Sequence, residues 1–128
     1  MPFLIKPLRM QQCVLIYDDD IEILKVCKVI LESQNYRVEI VSSCENILND
    51  IDIMKPDIIL MDLWIPQTGG EDAIRIMHQN PLTNHIPVIL FSANDEIEKI
   101  SKRINANGFL KKPFDILTLR QTIKNFLT

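Results

Sequence analysis

The chain has 128 residues, 47% of them hydrophobic, with 14 basic against 17 acidic side chains and a formal net charge of −3. This length suits one domain that buries roughly two thirds of its unfolded surface, and it leaves no room for a second. The charges are interspersed, with no basic stripe to meet nucleic-acid phosphates, and no apolar run nears the ~18 residues of a membrane span, so neither partner is expected to be bound directly.

Residues 1–12 carry Pro2, Lys6, Pro7 and Arg9 and lack both an unbroken apolar stretch and a small-residue cleavage site, so they read as a lead-in and not a signal peptide. The domain proper is expected over residues 13–128. A first strand is predicted at Cys13–Tyr17, followed by a helix carrying Ile21, Leu24, Cys27, Val29, Ile30 and Leu31 and ending near Ser33 to Tyr36. The second strand is predicted at Arg37–Val41. Ser42 or Ser43 is expected to cap a helix bearing Ile47, Leu48, Ile51 and Met54, which stops at Lys55 because Pro56 disfavours helix in the residue before it.

A third strand is predicted at Asp57–Met61, then a loop from Leu63 to Gly70 and a helix bearing Ala73, Ile74 and Met77 that Asn80-Pro81 terminates. The fourth strand is predicted at Ile86–Phe91, and the next helix carries Ile97, Ile100 and Ile104 and ends at Asn107-Gly108. A short strand through Leu110 and a last helix with Ile116, Leu119, Ile123, Phe126 and Leu127 complete five βα units. Such alternation predicts an α/β fold, a (βα)5 doubly wound parallel sheet with helices on both faces. The odd three cysteines, Cys13, Cys27 and Cys44, have no Cys-x-x-Cys spacing and read as reduced core thiols, pointing to the cytoplasm.

Several chemistry-bearing residues fall at the carboxyl ends of these strands: Asp18 and Asp19 after the first, Asp62 after the third, Lys112 after the fifth. In an open parallel sheet those ends share one edge. Crowded carboxylates repel one another unless a hard cation and a lysine neutralise them, and such a cluster suits magnesium-assisted chemistry on a phosphoryl group. Asp20 begins the first helix and is assigned capping, not metal binding. His78 and His85 have no metal-like spacing and read as structural or solvent-facing.

With the runs Val14 to Asp20, Pro56 to Asp62, Ile65-Pro66 followed by Gly70, Pro87 to Ala93 and Lys112-Pro113-Phe114 in this order, the chain resembles the CheY-like receiver domain of two-component response regulators from about Cys13 to Leu127. The resemblance implies a flavodoxin-like strand order 2-1-3-4-5 and a domain in a phosphorelay that is no enzyme beyond magnesium-dependent self-phosphorylation and dephosphorylation. It implies that Asp62 takes a phosphoryl group from a sensor histidine kinase or histidine phosphotransfer protein, a role a carboxylate at an exposed strand end can perform by attacking phosphorus. Mg2+ would be held by Asp18, Asp19, Asp62 and the backbone carbonyl of Trp64. Lys112, after an expected cis bond to Pro113, would lie over the phosphoryl oxygens, whereas Lys111 reads as a solvated lysine.

The resemblance also makes Ser92 and Phe109 the switch pair, with Ser92 supplying a hydroxyl donor at the site and Phe109 turning inward on activation. Phosphorylation would bias a partner-binding surface formed by the fourth helix, fifth strand and fifth helix. By the same resemblance Trp64 and Asn94 flank the expected phosphoryl position; the Trp64 indole either lengthens the phosphoryl lifetime or is an exposed loop residue available for partner contact. Gln67-Thr68-Gly69 departs from the Met-Asp-type residues usual before Gly70, and Gly69 is free to take positive φ.

A flavin-binding flavodoxin-like protein would share the fold, but the acids of Asp18-Asp19-Asp20 would repel a phosphate that lacks a cation. A haloacid-dehalogenase-type hydrolase needs a second Asp two residues after the first, where Trp64 stands. A degenerate receiver working as a phosphate-independent module would lack one of the acids or the lysine. All are present.

Overall fold

A computed structural model describes residues 11–65 and 69–127. The lead-in before residue 11 and the expectations at Pro66, Gln67 and Thr68 lie outside the described residues. Five strands, β1 (Cys13–Tyr17), β2 (Arg37–Val41), β3 (Ile58–Asp62), β4 (Val88–Ser92) and β5 (Gly108–Lys111), form one parallel sheet in the order β2-β1-β3-β4-β5. Five helices alternate with them: α1 (Ile21–Glu32), α2 (Ile47–Met54), α3 (Gly70–His78), α4 (Ile97–Arg103) and α5 (Ile116–Leu127). The (βα)5 expectation and the strand order both hold.

Because strand side chains alternate across the sheet, each strand feeds two cores. Leu15, Tyr17, Ile59, Met61, Val88 and Leu90 pack with Ile47 and Ile51 of α2, Ala73, Ile74 and Met77 of α3, and Ile97 of α4. Val14, Ile16, Ile58, Leu60, Ile89, Phe91 and Leu110 pack with Leu24, Cys27 and Leu31 of α1 and Leu119 and Ile123 of α5. All three cysteines are buried thiols outside any disulfide, and burial pushes each up to about 11.

The structure shifts several expected boundaries and faces. β3 and β4 each end one residue later than predicted, at Asp62 and Ser92, so both polar groups belong to the ladder itself. On α1, Ile21 and Val29 are exposed, because the helix turns only Leu24, Cys27 and Leu31 fully to the sheet. The serine cap before α2 is not found: α2 starts after Asn46, and Ser43 instead accepts from the Glu45 amide at 3.3 Å in a local turn. Lys55 closes α2 in the left-handed conformation ahead of Pro56. α4 ends at Arg103, before the expected Asn107-Gly108, and Asn105 takes φ 64°. Gly69 takes φ −74° and ψ 164°, an extended geometry open to any residue.

Candidate functional site

The strand alternation that builds the α1/α5 core also assembles the site. Asp18 continues the Val14, Ile16 row, Asp62 the Ile58, Leu60 row, and Lys112 follows Leu110 by two residues, so all three emerge on one face where their strands end. Asp18 is 1% exposed and Asp62 5%. The Lys112 ammonium donates to Asp18 Oδ2 at 2.7 Å and to Asp62 Oδ1 at 3.2 Å.

Local backbone contacts hold each group. Asp18 Oδ1 accepts from the Asp20 amide at 2.9 Å, while Asp20 caps α1 by accepting from the Glu22 amide at 3.0 Å. The Lys112 amide donates to the Ser92 carbonyl at 2.8 Å, extending the β4–β5 ladder past the last strand residue, and the Lys112-Pro113 bond is cis. Gly70, the first residue of α3, presses against the strand end: a Cβ there would sit 2.2 Å from the Asp62 carbonyl oxygen. Only glycine fits a backbone approach that close.

The electrostatics follow from crowding. Burial, then repulsion from Asp18, raises the Asp62 pKa from 3.8 to about 6, although Lys112 opposes the shift. For Lys112, burial alone would favour loss of the proton. The hydrogen bond to Asp18 and the charges of Asp62 and Asp18 outweigh it and raise the pKa.

One carboxylate oxygen each from Asp18, Asp19 and Asp62 can be chosen so that all lie within 4.8 Å of one another. These are hard oxygen donors, and Asp19 is exposed, so an arriving cation can keep several waters. That donor set fits Mg2+, which needs few carboxylates.

The remaining expected residues divide. Ser92 is buried and bonded through its carbonyl to Lys112, but its hydroxyl accepts from the Asn94 amide at 3.1 Å, within its own loop. Phe109 is 40% exposed and Trp64 is 68% exposed. Lys111 stays exposed yet is not merely solvated, because it pairs with Asp95.

Sequence reading passed over the floor of the site. The Phe91 ring lies under the ammonium, with Lys112 Nζ 4.6 Å from the ring centroid, and Phe114 packs on Phe91 with centroids 6.3 Å apart and planes tilted by 52°. The signal was available, since Phe91 shares the α1/α5 face with Leu110 and is its register partner. Also unforeseen are the Tyr17 hydroxyl donating to Asp50 at 2.7 Å and the two-pronged Arg103–Glu71 ion pair joining α4 to α3.

A family model for the response regulator receiver domain matches residues 14–124. The transcriptional regulatory protein KdpE of Staphylococcus aureus is 33% identical over 117 residues, covering 90% of this chain and 49% of that protein. The chemotaxis protein CheV1 of Helicobacter pylori is 29% identical over 125 residues, covering 91% of this chain and 38% of its own length. The chain thus spans half or less of these curated relatives. Among solved structures, a putative response regulator from Chloroflexus aurantiacus superposes with a TM-score of 0.86 at 27% identity, covering 91% of this chain and 98% of that one. Chemotaxis response regulator CheY4 of Vibrio cholerae gives 0.84 at 24% identity, over 92% and 100% of the two chains, which speaks for the fold alone. Acids gathered at the strand ends, a lysine joining them and a family match running from β1 into α5 agree, and the chain belongs to the response regulator receiver domain family, the receiver modules of two-component signalling.

Proposed function

We propose that Asp62 is the phosphoacceptor, taking its phosphoryl group from a phosphohistidine on a sensor histidine kinase or histidine phosphotransfer protein. The observation that carries this reading is the Lys112 ammonium held between Asp18 and Asp62, with three carboxylate oxygens close enough to share a cation. Asp18, Asp19, Asp62 and the Trp64 carbonyl would hold Mg2+. When bound, that ion supplies charge neutralisation on the phosphoryl oxygens.

The chain's own groups do the rest. An ionised Asp62 oxygen attacks phosphorus, the P–N bond to the donor imidazole breaks, and the imidazole nitrogen keeps the electron pair and takes a proton from water. Lys112, already bonded to Asp62, offers its positive charge to the transferred oxygens. Ser92 supplies the further hydroxyl donor once it leaves the Asn94 amide. Phe109 lies exposed in β5, the strand between Ser92 and α5, and serves as the second switch residue.

The surface switched by phosphorylation is α4, β5 and α5, where a downstream protein partner docks. Among the described residues no helix is long and apolar enough to cross a membrane, in keeping with a proposed cytoplasmic setting. The test is incubation with acetyl phosphate and magnesium followed by intact-protein mass measurement. A single phosphoryl adduct is expected, lost on adding chelator beforehand and absent from Asp62→Ala. An adduct that persists in Asp62→Ala would place the acceptor elsewhere.

A further inference from the structure

Resting on the reading of Asp62 as acceptor, we propose that Phe91 is a positioning residue for the site, its ring being the third anchor of the Lys112 ammonium. An ammonium has three N–H donors. Two are directed to Asp18 and Asp62, at 2.7 and 3.2 Å. The Phe91 centroid lies 4.6 Å from Nζ, inside the range where the negative face of an aromatic ring attracts a cation.

The ring is itself enclosed by the core. Phe91 is fully buried, pairs with Asp62 on one side and Leu110 on the other in the sheet, and is braced by Phe114. The Lys112 side chain is 17% exposed, so water competes little for the contact and the attraction is stronger than at an open surface. An aliphatic residue would fill the α1/α5 core equally well by character. It would give the ammonium a floor without a negative π face, with no preferred place for its third donor.

The consequence is a fixed point charge. Asp18 and Asp62 alone leave the lysine free to swing about the line between them, and the ring face removes that freedom. Lys112 therefore stays aimed where the transferred oxygens arrive, which lowers the cost of ordering it during phosphoryl transfer. Phe114 extends the brace toward α5, packing on Phe91 from just before the start of that helix.

The test replaces Phe91 with phenylalanines carrying one, two or three ring fluorines, which keep the shape and progressively weaken the ring's negative face, and separately makes Phe91→Leu. The rate of adduct formation with acetyl phosphate and magnesium should fall step by step along the fluorine series. Phe91→Leu should be slower by about fivefold. Proton NMR of the unphosphorylated wild-type protein should show the Lys112 methylene beside the ammonium shifted upfield by the ring current, and Phe91→Leu should lose that shift. A flat rate across the fluorine series at unchanged melting temperature would reduce Phe91 to core packing and overturn the proposal, as would an unshifted Lys112 methylene. If the wild type takes no phosphoryl group at all, the acceptor reading fails, and the NMR comparison still decides whether Phe91 holds the lysine.

Discussion

Lys112 Nζ lies closer to Asp18 Oδ2, at 2.7 Å, than to Asp62 Oδ1, at 3.2 Å. The more buried acid has the firmer grip, and Asp62 is left the looser partner. The 3.2 Å contact uses only Oδ1 of Asp62, so the ammonium need not be released for the proposed attack through the other carboxylate oxygen.

Removing that ammonium should expose how much the acids repel. Lys112→Ala is expected to lose about 2 kcal/mol of stability at pH 7.5 in chelator, because two buried carboxylates lose their counter-charge. Urea unfolding measures this. Adding magnesium should recover more stability in the variant than in the wild type, and equal recovery in both would mean that the cation and the lysine do not share these acids.

Asp62 titrates in the folded protein near pH 6 against a usual 3.8. Between these values the folded state binds the extra proton, so this group makes the protein less stable as pH rises from 4 through 6. Asp62→Asn, which cannot ionise, should therefore be more stable than the wild type at pH 7.5 without metal. The gain should be on the order of 1–3 kcal/mol and should disappear below pH 4. Thermal melts across that range would show the two curves converging in acid; parallel curves would contradict the raised value.

Gly70→Ala should cost about 3 kcal/mol, since its Cβ would meet the Asp62 carbonyl oxygen at 2.2 Å and Met61 Cγ at 3.1 Å. A backbone oxygen cannot move aside as a flexible side-chain tip can. Gly69→Ala next to it should be nearly neutral, its nearest contact being 4.0 Å. Comparable urea midpoints for the two variants would remove the close approach as the reason for glycine at 70.

Trp64 stands two residues after Asp62 in sequence, and its indole is 68% exposed. Trp64→Ala or Trp64→Asn should speed loss of the phosphoryl group severalfold by opening the path for water. Following decay of the mass adduct after gel filtration checks this, and an unchanged half-life would reject a role for the indole in shielding the phosphoryl group.

The alternation of apolar runs with helical periods made the (βα)5 order legible, and the same parity carried Asp18, Asp62 and Lys112 to one edge. What escaped was any property set by a neighbour distant in sequence. Ser42 and Ser43 look like caps locally, yet tertiary packing starts α2 only after Asn46. Ile21 and Val29 match the helical period of α1 but lie off the narrow stripe that meets the sheet. Phe91 reads as one more core aromatic until β5 brings Lys112 above it. Lys111 gains Asp95 across a loop that periodicity cannot orient.

The three sealed thiols have a practical reach. With Cys13, Cys27 and Cys44 inside the protein and each holding its proton up to about pH 11, on the order of one molecule in a thousand or fewer offers a reactive sulfur at neutral pH. A single cysteine engineered onto the outer side of α4 or α5 would then take a maleimide dye alone, with the native three left in place. Any movement of these two helices, which belong to the proposed docking surface, could be followed by fluorescence on an otherwise unaltered chain.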